Sequence, residues 1–200
     1  MTTARSRLQA SSSVPTLNRV EFRYGLGALG KRLWTRDKAR EARAQVGGYL
    51  DRAQAGDVLV IDAKGVEVFD YSFAAELFGR VLMRLPTEYP GRFLVVENLG
   101  QWTHQNLQAA LRDLGLTMIE RQRGGKYRLI GKVAEPDRAT FEELARAGGL
   151  ASASDLADRL GVNLTAMNER LAKLVRLGVV RRDDETPSSG RSRYHYSTLG

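Results

Sequence analysis

Apolar and polar positions change rhythm twice along the 200-residue chain. Val20 to Tyr24 alternates apolar with polar residues and stops at Gly25, which predicts a half-exposed strand. Thr35 can cap a long helix from Arg36 to about Ala55. Two continuous apolar runs follow, Asp57 to Asp62 and Arg92 to Glu97, each reading as a buried strand. Between them, Phe73, Leu77, Phe78, Val81 and Leu82 share one face of a helix expected over Ser72 to Leu85, ending before Pro86. Thr103 to Leu114 reads as a further helix, and Thr117 to Glu120 and Tyr127 to Ile130 as short strands about a Gly124-Gly125 turn. Strands alternating with helices predict an α/β module with a mixed sheet over residues 18–131.

The rhythm turns helical after a linker expected at residues 132–137. Arg138 to Ala147 supplies a first helix, with Phe141 and Leu144 inward and Gly148-Gly149 ending it. Ser152 followed by Asp155 resembles a capping box, with the shorter acid in place of Glu, for a second helix buried through Leu156, Ala157 and Leu160 and running into Gly161. The third runs from Asn163, a candidate N-cap, to Gly178. Leu164, Met167, Leu171, Leu174 and Val175 face inward, while Thr165, Ala166, Asn168, Glu169 and Lys173 face outward. A strand pair then carries Arg181, Arg182, Arg191 and Arg193 around a Pro-Ser-Ser-Gly loop. Helix, turn, helix and basic ribbon make a small α+β winged helix over residues 138–200, which places one helix in a DNA major groove.

In that role Asn168 can read adenine edges, Ala166 and the Thr165 methyl can meet thymine, and Glu169 can accept from cytosine. Asn163 and Lys173 flank these positions as further candidate contacts. The wing arginines would hold phosphates or probe the minor groove, fixing register more than sequence. Asp-Leu-Ala-Asp-Arg-Leu-Gly-Val at 155–162 and Leu-Ala-Lys-Leu-Val-Arg-Leu-Gly-Val-Val-Arg-Arg at 171–182 resemble the winged-helix transcriptional regulators of bacteria. The resemblance implies a homodimer on double-stranded DNA, since one reading helix spans too few base pairs for genomic specificity.

Asp57 to Gly79, with its Ser-Phe-Ala-Ala-Glu-Leu segment at 72–77, resembles the STAS-like family related to anti-sigma-factor antagonists. Gly27 to Arg40 upstream, and Val95 to Leu99 with Leu129 to Gly131 downstream, extend the similarity. It implies that the first module senses a protein partner, a small ligand or a modification. In the antagonists a serine at the strand-to-helix turn is phosphorylated, and Ser72 stands in the matching place. Tyr71 and Phe73 replace that motif's usual small neighbours, and an N-cap role for Ser72 is the simpler alternative.

Charge modifies this picture. The net charge is +8, yet residues 1–56 hold 11 Lys and Arg against 4 acids, whereas residues 132–200 hold 11 against 10. The near-neutral winged helix therefore keeps a second class open, a switch that binds only proteins through both modules. The absence of cysteine removes disulfides and thiolate chemistry and accords with a cytoplasmic, nucleoid-associated protein. No apolar run would cross a membrane, and the Ser-rich residues 1–17 read as a flexible tail.

Gly25 to Lys31 matches a dinucleotide fingerprint, but the preceding strand is not a continuous apolar run and the helix starts too late. Asp62, Asp70 and Glu76 could gather at one strand end as carboxylates for Mg²⁺, although capping and solvated faces explain them as well. His104 and His195 belong to different modules. The expectation is no enzyme, no cofactor and no metal.

Overall fold

The two apolar runs become β3 (Val58–Asp62) and β5 (Phe93–Glu97), adjacent in a five-stranded sheet. This computed structural model describes residues 19–185 and 193–199. The sheet order is β1 (Glu21–Gly25), β3, β5, β6 (Thr117–Arg121) and β7 (Tyr127–Gly131). The first four strands run parallel and β7 returns antiparallel. A separate parallel pair joins β2 (Arg32–Leu33) to β4 (Val68–Phe69). The glycine-rich segment before it holds a 3₁₀ turn, Leu26–Leu29, and delivers no helix to a nucleotide.

Strand order rises steadily along the chain, and that decides where the helices lie. Right-handed crossovers that always step the same way leave every helix on one face. These helices are α1 (Arg36–Arg52), the α2–α3 segment and α4 (Gln101–Asp113). They pack on the sheet face formed by Leu59, Ile61, Leu94, Val96, Met118 and Ile130.

Thr35 caps α1 as expected, its Oγ1 accepting from the Lys38 amide at 3.3 Å. The next helix departs from expectation. It comprises α2 (Tyr71–Ala74), a π turn (Ala75–Gly79) and α3 (Arg80–Glu88), with Pro86 inside it. Proline this near a C-terminus forfeits only one backbone bond, so the helix continues for two more residues. Its cap is Asp70, whose Oδ1 accepts from the Phe73 amide at 2.7 Å, and not Ser72.

The opposite sheet face is equally apolar, through Val58, Val60, Phe93, Val95, Ile119 and Leu129. These side chains share one buried cluster with Phe141, Leu144, Val179, Val180, Tyr196 and Leu199 from the C-terminal region. That region comprises α5 (Glu135–Arg146), β8 (Leu150–Ser152), α6 (Ala153–Leu160), α7 (Leu164–Arg176), β9 (Arg181–Glu185) and β10 (Arg193–Ser197). Only residues 132–134 separate β7 from α5, so the connection is shorter than the 132–137 expected. Pro136 explains the difference: it lies in the first helical turn, where its missing N–H costs nothing. Arg138 clasps the junction by donating to the Leu129 carbonyl at 3.0 Å.

Candidate nucleic-acid interface

Helices α6 and α7 and the turn between them are fixed by local chemistry. Ser152 Oγ accepts from the Asp155 amide at 3.2 Å while Asp155 Oδ2 accepts from the Ser152 amide at 3.1 Å, completing the capping box. Gly161 ends α6 at φ 63°, a left-handed conformation that suits glycine. Two residues later Asn163 caps α7, its Oδ1 accepting from the Ala166 amide at 2.8 Å. That oxygen is committed to the cap, so any DNA contact by Asn163 falls to its amide nitrogen.

Helix α7 divides as its periodicity predicts. Met167, Leu171 and Leu174 are fully buried, whereas Thr165, Asn168, Glu169 and Lys173 are exposed and Ala166 is half-exposed. Leu164 departs from the pattern: it is 50% exposed at the first helical position and does not enter the core. Lys173 is held at 2.5 Å from Asp137 of α5, so its ammonium ties two helices together. A buried carboxylate meets its counter-charge there, which orients α7 against the body.

The wing is a three-stranded sheet in the order β8-β10-β9, antiparallel throughout. Adjacent residues of a strand face opposite sides, and β9 separates its two leading arginines accordingly. Arg182 is exposed, its guanidinium 4.7 Å from the Tyr194 ring centroid. Arg181 points the other way and is only 7% exposed. It donates to the Gly56 carbonyl at 2.8 Å and lies 4.9 Å from the Phe93 ring centroid. Burial, with Arg19 nearby, lowers its pKa to about 10. The expected phosphate contact at Arg181 is therefore corrected to a seam contact between wing and sheet. Arg191 lies outside the described residues, as does the side chain of Arg193.

Other candidate groups do not converge. Asp62 accepts from the Asn98 side-chain amide at 2.8 Å, Asp70 caps α2, and Glu76 pairs with Arg43 at 3.3 Å. His104 meets Glu120 at 3.1 Å, and Arg128 reaches the same carboxylate at 2.7 Å. Among the described residues no group of three His, Asp or Glu side chains could hold a metal ion. No helix there is long and apolar enough to cross a membrane. Ser72 is half-buried in the first turn of α2.

The two features sequence reasoning missed are the burial of Arg181 and the Lys173–Asp137 pair. The first had a signal, since Arg181 and Arg182 are neighbours on a strand and cannot share a face. The second joins residues far apart in the chain, and no local pattern announces it.

Comparison with curated proteins finds no match to the chain. The sequence model of the MarR family matches residues 138–192, from within the first turn of α5 to the residue before β10, which supports reading this region as a DNA-binding domain.

Proposed function

We propose that the protein is a sequence-specific transcriptional regulator whose α7 reads the major groove of operator DNA. The observation that carries this is the outer face of α7: Thr165, Asn168 and Glu169 are free of core duties on a capped helix inside the MarR-family match. Arg182, and the arginines at 191 and 193, hold the flanking backbone. The STAS-like module receives the input, and a homodimer supplies two reading helices. Ser72 is a weaker entry point for that input, because a phosphate there would meet the capping carboxylate of Asp70.

The test is capture of sheared genomic DNA by the full-length protein, sequenced after washing at near-physiological salt. A few enriched palindromic fragments are expected. Uniform, salt-labile recovery would reduce the reading to non-specific electrostatics. No recovery would favour the second reading, a protein-only switch, for which the balance of 11 basic against 10 acidic residues in 132–200 already speaks.

A further inference from the structure

The seam between sheet and winged helix is not filled. A cavity of about 680 Å³ opens where α3 and the start of β5 approach the end of α7 and the base of the wing. Its walls are apolar and come from both sides: Leu82, Leu85, Tyr89 and Phe93 from the first module, Val175 and Val180 from the second. Pockets of this size and lining are typical of small-molecule sites.

Its polar complement is one-sided. Five arginines are among the residues around it, Arg19, Arg92, Arg176, Arg181 and Arg182, against one acidic residue, Asp183. Asp183 is already taken, 3.0 Å from Arg19. Arg176 and Arg182 are exposed and have no ion-pair partner among the described residues. Arg181 is buried there, and its Nε has no hydrogen-bond partner among the described residues. An apolar chamber whose arginines outnumber its acidic residues five to one selects a ligand with an apolar body and one anionic head. Guanidinium matches a carboxylate in shape as well as charge.

We infer that this cavity binds a small amphipathic carboxylate, and that its occupancy tunes the regulator. The regulatory half rests on the DNA-binding reading; the binding half does not. The ligand's body lies against Leu82, Leu85 and Phe93, and its carboxylate faces Arg176. Because the C-terminal turn of α7 forms one wall, filling the chamber favours one seating of the reading helix over others. A ligand with that preference shifts operator affinity by the same factor as DNA shifts ligand affinity.

The experiment is isothermal titration of the full-length protein with decanoate and, separately, with decan-1-ol. Saturable binding of one decanoate per chain is expected, with decan-1-ol at least tenfold weaker. Leu82→Trp, which fills the chamber, should weaken decanoate at least tenfold while leaving cooperative unfolding intact. Arg176→Gln changes an exposed residue and so tests the site without touching the core; it should weaken decanoate about tenfold and leave decan-1-ol unchanged. Absence of saturable decanoate binding would overturn the proposal, as would equal binding by wild type and both variants. Captured operator DNA is then titrated with and without decanoate. Decanoate binding without any DNA capture upholds the site and removes only the regulator reading. DNA capture without decanoate binding does the reverse.

Discussion

Replacing Arg181 separates its two assignments, because a phosphate contact and a seam contact respond oppositely to Arg181→Met. The guanidinium is buried, and its pKa is lowered to about 10, first by loss of solvent and then by the nearby charge of Arg19. A depression of that size means the charge costs about 3 kcal/mol where it stands. Methionine removes the charge and keeps most of the apolar stem. Against that gain stands the loss of the bond to the Gly56 carbonyl, about 1 kcal/mol, and of the Phe93 contact, about 1 kcal/mol more. The net expectation is a protein as stable as wild type or more stable by about 1 kcal/mol. Arg181→Ala lacks the stem as well and falls about 2–3 kcal/mol below the methionine variant, at roughly 0.8 kcal/mol for each buried methylene lost. In a chain of this size that difference is about 5–10 °C in Tm. Because the folded-state pKa is the lowered one, the penalty is complete below about pH 10 and fades as pH rises through that value. The advantage of methionine should fade over the same interval. Chemical denaturation gives the stabilities, and fluorescence anisotropy on captured operator DNA gives the salt slope. Loss of more than about 3 kcal/mol in Arg181→Met would refute the electrostatic argument. A salt slope shallower by about one would return Arg181 to the phosphate backbone.

Four further outcomes follow from the same geometry. Arg182→Ala should weaken binding to all sequences and reduce the salt slope by about one, whereas Asn168→Ala should relax preference at one base by about 1–3 kcal/mol, both read by anisotropy on operator and mutated sites. The Asp155 carboxyl is held below the ordinary carboxylate range by the Ser152 hydroxyl and amide, so its stabilising effect is present above that range and lost as pH falls through the folded value; Ser152→Ala should cost about 1 kcal/mol and raise the Asp155 titration midpoint measured by NMR. Gly131→Ala should abolish soluble expression, since φ is 97° and a Cβ would lie 2.2 Å from the Leu116 carbonyl oxygen; Gly79→Ala, which meets only the Leu114 side chain at 2.5 Å, should cost about 1–3 kcal/mol by thermal denaturation. A truncated chain of residues 19–131 should bind an apolar dye or self-associate on gel filtration, because it bares Val58, Val60, Phe93, Val95, Ile119 and Leu129; a monomer that leaves the dye dark would show the seam to be dispensable.

What the sequence made legible was local. Caps at Thr35, Ser152 and Asn163 were readable because a short polar side chain bonds an amide two or three residues ahead, within one stretch of chain. The inward and outward sides of α7 followed from helical period. Errors arose where distant parts of the chain meet. Strand alternation shows that Arg181 and Arg182 cannot both face outward, but which one turns in depends on Gly56 and Phe93, more than eighty residues away in the chain. Ser72 read as a cap although Asp70 lies two residues earlier and fills the role with a full charge. Leu164 counted as core by period alone, yet at the first turn of α7 there is no neighbour to cover it.

The union of the two modules was nonetheless implicit in the strands. Val58-Leu59-Val60-Ile61 and Phe93-Leu94-Val95-Val96 are apolar at every position, so both faces of the sheet must be covered. A sheet with helices on both faces needs its strand order to reverse, whereas the order here climbs from β1 through β3 and β5 to β6 without reversal. Right-handed connections then commit all three helical segments to the face of Leu59 and Leu94. Among the described residues up to 131 nothing is left to cover Val60 and Val95, and the winged helix is the part that does so. A domain boundary drawn from the change of rhythm near residue 132 is thus a boundary of pattern and not of packing. The consequence is mechanical. Side chains of α7 and of the sheet belong to one buried cluster, and the unfilled part of the seam, between Leu85 and Val175, is where the proposed ligand would act on α7.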